Sequence, residues 1–174
     1  DRRGDARVAL EALRMPRLRV RRPVKGEAGA RVHERRGVRA GDRIGVMSLN
    51  HPSTVFVLLA LSRLGATMAP VNPDYGVEEA RYVLTHAQVS GVLCAPDALA
   101  TVQAACAELR PAPWLMLNEG SEAGLAVFDD EVARIVAAPP DDVSAPQTTC
   151  VFIYTSGTTG FPKGVMHSQR NVVL

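Results

Sequence analysis

Between Thr155 and Gly160 the chain sets four hydroxyl side chains, Thr155, Ser156, Thr158 and Thr159, beside two glycines, Gly157 and Gly160, and a lysine follows at Lys163. That composition suits an anion. Glycine adopts φ > 0 without strain, so successive backbone N–H groups can converge on one point, and the hydroxyls donate further hydrogen bonds. The Lys163 ammonium supplies the countercharge. The residues just before the loop, Thr148-Thr149-Cys150-Val151-Phe152-Ile153, are β-branched and apolar and predict a buried strand emptying into it. The spacing excludes a Walker A loop, which requires glycine, four residues and then Gly-Lys-Ser/Thr. Here Phe161-Pro162 separate Gly160 from the lysine, and Pro162 steers its predecessor away from helix. The lysine has a second argument. The chain uses 18 Arg and only two Lys, Lys25 and Lys163, so a lysine beside the loop marks a compact point charge rather than a planar fork.

Residues 154–165, Tyr-Thr-Ser-Gly-Thr-Thr-Gly-Phe-Pro-Lys-Gly-Val, resemble the phosphate-loop signature of the adenylate-forming enzymes: acyl-CoA synthetases, aryl-CoA ligases, luciferases and peptide-synthetase adenylation domains. Upstream, Gly41-Asp42-Arg43-Ile44-Gly45-Val46 is similar to the family's Gly-Asp-Arg strand opening. Leu64-Gly65-Ala66 and Pro70-Val71-Asn72-Pro73 are similar to its next segment, so the likeness runs over roughly residues 37–174. The Thr-Thr-Gly and Asn-Pro spellings lean toward the acyl-CoA synthetase branch.

The resemblance implies a two-step reaction. A carboxylate attacks the α-phosphate of ATP in the presence of Mg2+, giving an acyl-adenylate and pyrophosphate, and the acyl group then passes to coenzyme A. Thr155, Ser156, Gly157, Thr158, Thr159, Gly160 and Lys163 are the residues it assigns to the phosphates; none is assigned to the chemical step, and no metal ligand is named. The family's later aromatic-Gly-x-Thr-Glu and Thr-Gly-Asp segments and its C-terminal lysine have no counterpart in these residues. The expectation is therefore an N-terminal fragment, inactive alone, whose Mg2+ and CoA act through parts of a parent enzyme. Two other readings stand beside it: a fragment of an amino-acid-activating adenylation domain, and a truncated, non-catalytic nucleotide-binding module.

Other reactive side chains read as structural. Ser168-Gln169-Arg170-Asn171 stands where the family often has Thr-His-Arg-Asn, so Gln169 takes the histidine's place. His167 is expected to pack at a strand end rather than move a proton. His33, His51 and His86 lack ligand spacing. Cys94, Cys106 and Cys150 are three in number without metal-site spacing, which predicts reduced, mostly buried thiols. Tyr154 suits either a pocket wall or the core.

These residues need a frame, and the hydrophobic pattern provides one. Strands are predicted over 44–48, 67–71, 89–94, 114–117 and 148–154. Helices alternate with them: 53–64, apolar on nearly all sides; one carrying Val77, Ala80, Leu84 and Ala87 on a single face; one capped by Asp97 with Ala98, Val102, Ala105 and Leu109 inward; and one near 129–136. Residues 118–126 read as a loop and 139–147 as a polar, Pro-rich linker, while Ser168 opens a further helix. Alternation of this kind predicts an α/β fold, a mostly parallel sheet flanked by helices, here as the incomplete N-terminal part of the large domain of an adenylate-forming enzyme. Ligands of such sheets bind beyond the carboxyl ends of the strands, where the 155–160 loop falls.

Charge is unevenly spread. Residues 1–43 hold 14 of the 20 basic and 6 of the 18 acidic side chains, a balance of +8 that leaves −6 for the remainder. Phe, Tyr and Trp are absent from the first 55 residues. The reading is a basic, irregular segment over 1–40, rather than a nucleic-acid arm, followed by a partial AMP-binding domain over 41–174. The longest apolar run, Val55–Leu61, is too short to span a bilayer. With no secretory leader pattern, a cytosolic protein acting on a small carboxylate is expected.

Overall fold

The computed structural model describes residues 25–136, 138–155 and 162–173. Helix α1 (Lys25–Arg35) leads into β1 (Arg43–Met47), α2 (Pro52–Arg63), β2 (Thr67–Val71), α3 (Val77–Ala87) and β3 (Gly91–Cys94). A 3-10 turn (Pro96–Ala98) then precedes α4 (Leu99–Cys106), β4 (Trp114–Leu117), β5 (Ala126–Val127), α5 (Phe128–Ala133), β6 (Thr149–Thr155), β7 (Lys163–Ser168) and α6 (Gln169–Val173). The strands form one sheet in the order β5-β4-β3-β1-β2-β6-β7. Every pairing is parallel except β6 with β7. The expected α/β class, a mostly parallel sheet flanked by helices, is what the chain adopts.

Alternation along the strands builds two cores. Ile44, Val46, Met68, Leu93 and Met116 face α1, α2 and α5. Met47, Ala69, Val71, Val92 and Leu117 face α3 and α4. Because a strand's side chains alternate, buried residues at successive positions mean that both faces are covered, as parallel sheets require. Helix α2 starts one residue before the predicted 53–64: the His51 ring accepts from the Ser53 N–H at 3.2 Å, and Pro52 opens the first turn. Asp97 does not cap the next helix. It lies inside the 3-10 turn, and Ala98 precedes α4 without a side-chain cap.

The largest departure is α1. An irregular segment is expected through residue 40, yet Lys25–Arg35 is helical and buries Gly26, Ala28, Gly29, Ala30, Val32 and His33. The reason is close approach. A Cβ on Gly29 would stand 2.8 Å from Phe128 Cζ and 3.2 Å from Ala60 Cβ, so α1 packs through small residues that carry no conspicuous apolar stripe. His33 lies at 0% exposure between Trp114 and Phe128, with ring centroids 6.0 and 5.6 Å away. Neither ring nitrogen has a hydrogen-bond partner among the described residues. Burial, followed by the Arg36 charge, lowers its pKa to about 3. The basic stretch before residue 25, including Met15–Pro23, lies outside the described residues.

Candidate functional site

β6 rises from a buried start, Cys150 and Val151, to an exposed end at Thr155. β7 returns antiparallel beside it, pairing Thr155 with Lys163, Tyr154 with Gly164, Ile153 with Val165 and Phe152 with Met166. Sequence reasoning does not resolve β7, because Pro162 and Gly164 blur a six-residue exposed strand. The hairpin thus closes on Thr155 and Lys163 as direct cross-strand partners. Such partners put their side chains on the same sheet face, so a hydroxyl and an ammonium flank the mouth of the intervening loop. The other expected phosphate contacts, Ser156, Gly157, Thr158, Thr159 and Gly160, lie outside the described residues, as does Phe161.

The two lysines have different surroundings. Lys25 sits 3.9 Å from Asp129 and over the Phe56 ring. Lys163 is exposed and makes no ion pair with a described residue. A cation that no described carboxylate already pairs is available to an incoming anion.

The opposite hairpin face rests on α3. Tyr154 is half-buried and its Oη lies 2.8 Å from His86 Nδ1, with the rings edge to face. Burial and then the neighbouring Tyr82 push the Tyr154 phenol above its ordinary range, so it remains protonated at neutral pH. Tyr82 Oη donates to the Pro162 carbonyl at 3.1 Å. Tyr154 is thus a wall of the hairpin's inner face and a member of the helix-facing core together.

The remaining reactive residues take structural places. His167 pairs opposite Val151 in β7, half-buried, with its carbonyl 3.5 Å from Cys150 Sγ. Gln169 Nε2 donates to the Ser62 carbonyl at 3.0 Å. Cys94, Cys106 and Cys150 are buried and unbridged. Desolvation pushes Cys94 to about 12 and Cys106 to about 11, so neither is a thiolate nucleophile at neutral pH.

A second feature shares the carboxyl edge of the sheet. Where the chain order reverses between β1 and β3, an open crevice of about 240 Å³ is bordered by Ser48, His51, Asp97 and Glu119. His51 Nε2 lies 3.3 Å from Glu119 Oε2. Switch points commonly hold ligands, but two carboxylates repel a polyphosphate. Another hollow, about 460 Å³ beside Val38, Arg39 and Pro140, adjoins the residues leading into β1, at the other end of the strands. Charge argues against the first hollow and position against the second, which leaves the hairpin mouth.

A profile of the AMP-binding enzyme family matches residues 27–174. The chain is similar to a long-chain-fatty-acid–CoA ligase of Thermus thermophilus, 31% identical over 140 residues, covering 79% of this chain and 25% of that protein. It is similar to a feruloyl-CoA synthase of an Amycolatopsis species, 34% identical over 136 residues, with 78% and 25% covered. Among solved structures, an anthranilate CoA ligase in complex with anthranoyl-AMP superposes with a TM-score of 0.75 at 22% identity, over 84% of this chain and 28% of that one. That likeness is one of fold. The chain spans about a quarter of the length of these curated relatives.

Proposed function

The chain belongs to the AMP-binding enzyme family, and on that premise we propose that it supplies the phosphate-binding loop of an ATP-dependent acyl-CoA synthetase. The Thr155–Lys163 pair across the hairpin mouth carries this reading, since it sets hydroxyl and ammonium on one face beside a Gly/Ser/Thr loop. In the first step a carboxylate oxygen bonds to the α-phosphorus while the bond to the bridging oxygen breaks and pyrophosphate leaves. Negative charge builds on the departing phosphates. The loop N–H groups, the hydroxyls of Thr155, Ser156, Thr158 and Thr159, and Lys163 are the groups suited to hold that charge. In the second step the thiol of coenzyme A displaces AMP from the acyl carbon.

Both named relatives form CoA esters, which favours the acyl-CoA branch over amino-acid activation. The parent enzyme on this reading is an acid–thiol ligase acting on a small-molecule carboxylate. The chain by itself does not complete adenylation. Among the described residues no group of three or more His, Cys, Asp or Glu could hold a metal ion. No helix of the described residues is long and apolar enough to cross a membrane.

The test is titration of the 174-residue chain with pyrophosphate and with ATP. Lys163→Ala should weaken pyrophosphate at least about tenfold, the effect of losing one charge-assisted hydrogen bond, with an unchanged thermal midpoint. Equal affinities in the two proteins would remove Lys163 from the site.

A further inference from the structure

We infer that helix α3 is a positioning element for the phosphate-binding loop, acting through Tyr82 and His86, which fasten the two strand ends between which that loop runs. The inference rests on the function proposed above and goes beyond it by assigning roles to residues outside the loop. One fastening lies on each side. Tyr82 Oη donates to the carbonyl of Pro162, the residue before Lys163. His86 Nδ1 shares a hydrogen bond of 2.8 Å with Oη of Tyr154, the residue before Thr155. The partners lie 80 and 68 residues apart in the chain, so only tertiary structure joins them.

The two fastenings are coupled. Tyr82 and His86 fall one helical turn apart on α3, and their rings stack at 5.8 Å with 25° between planes. His86 meets the Tyr154 ring edge-on at 5.6 Å. Across the hairpin, Gly164 stands opposite Tyr154, and a Cβ there would come within 3.2 Å of the phenol ring. Glycine at 164 therefore leaves room for the ring to lie over β7. Tyr154, His86, Tyr82 and the Pro162 carbonyl form one continuous chain of contacts from the loop's first strand, through α3, to its second.

The physical gain is preorganisation. Fixing a free backbone in one conformation costs entropy. Strand ends already held against a helix lose less of it when the anion binds. Lys163 follows the fastened Pro162 directly, so the same bond limits where its ammonium can reach.

Tyr82→Phe keeps the ring stack and deletes the hydroxyl that holds Pro162. In the 174-residue chain it should weaken pyrophosphate about fivefold, the effect of one neutral hydrogen bond. Amide hydrogen exchange at Gly164 and Val165 should accelerate, while the thermal midpoint stays within about 2 °C. His86→Ala should weaken pyrophosphate similarly, and His86→Asn, which retains a hydrogen-bonding atom near Nδ1, should recover most of the loss. A role confined to stability would lower the midpoint and leave the folded protein's affinity untouched. If the unaltered chain binds pyrophosphate, Lys163→Ala weakens it and Tyr82→Phe does not, the positioning role is overturned and the proposed function stands. If the unaltered chain does not bind pyrophosphate, the proposed function is overturned and this inference with it.

Discussion

The sheet has two unlike ends. Through β1, β3 and β4 both faces are covered: Ile44, Leu93 and Met116 on one side and Val92, Cys94 and Leu117 on the other are all fully buried. Through β6 and β7 the face shared by Thr155 and Lys163 also carries Ile153 and Val165, each 43% exposed, while Met166 reaches 65% on the other face. The difference separates residues that make the fold from residues that the fold displays. Burial on both faces leaves strands β1 to β4 little free surface on which to present chemistry. The hairpin is held on its inner face by Tyr154 and α3 and presents its outer face to whatever binds.

Substitutions at the two ends should differ in kind. The largest loss is expected from Phe128→Ala, which empties the space between α1, α5 and the sheet. The side chain is 0% exposed and touches both His33 and the Gly29 position, so about 3–5 kcal/mol of stability should go, read by urea denaturation. A loss below about 1 kcal/mol would mean that α1 does not belong to the core.

His33→Leu should act oppositely, stabilising by about 1–3 kcal/mol at neutral pH, because it removes two ring nitrogens that lack partners. It also has a pH signature. The folded-state pKa of His33 is lowered from 6.5 to about 3, so the unfolded chain binds the proton first. Above pH 6.5 the group contributes no pH dependence. As pH falls from 6.5 toward 3, the His33 contribution weakens folding about tenfold per pH unit. Stability curves of the two proteins should therefore diverge below pH 6.5, and parallel curves would place His33 in contact with water. The smallest effect belongs to the hairpin. Met166→Gln should change stability by less than about 0.5 kcal/mol, and a larger loss would show that part of the chain covers β7.

Much of this was legible beforehand. The strands at 44–48, 67–71 and 114–117 and the apolar helix before residue 64 are encoded by periodicity and by local caps such as His51-Pro52. Those signals are strong because a buried parallel strand needs an unbroken apolar run. Helix α1 carried no such signal. Its packing surface is glycine and alanine, and such residues look like loop until a neighbour such as Phe128 is placed against them. Strand β7 was hidden for a related reason: an exposed edge strand with one paired side needs no apolar alternation. The loop residues themselves stood out by composition, yet nothing local pointed to Tyr82 or His86, which lie far from it in the chain.

The sequence by itself thus determined the α/β class, the Gly/Ser/Thr composition of the loop and the choice of lysine beside it, because each depends on residue types within one short window. Only tertiary structure decided that Thr155 and Lys163 face each other, that α1 completes the core and that α3 fastens the hairpin. The last two join segments far apart in the chain: 68 and 80 residues separate α3 from its hairpin partners, and His33 of α1 meets Phe128 across a still longer span. Their geometry follows from the order in which strands join the sheet, and no local pattern carries that information.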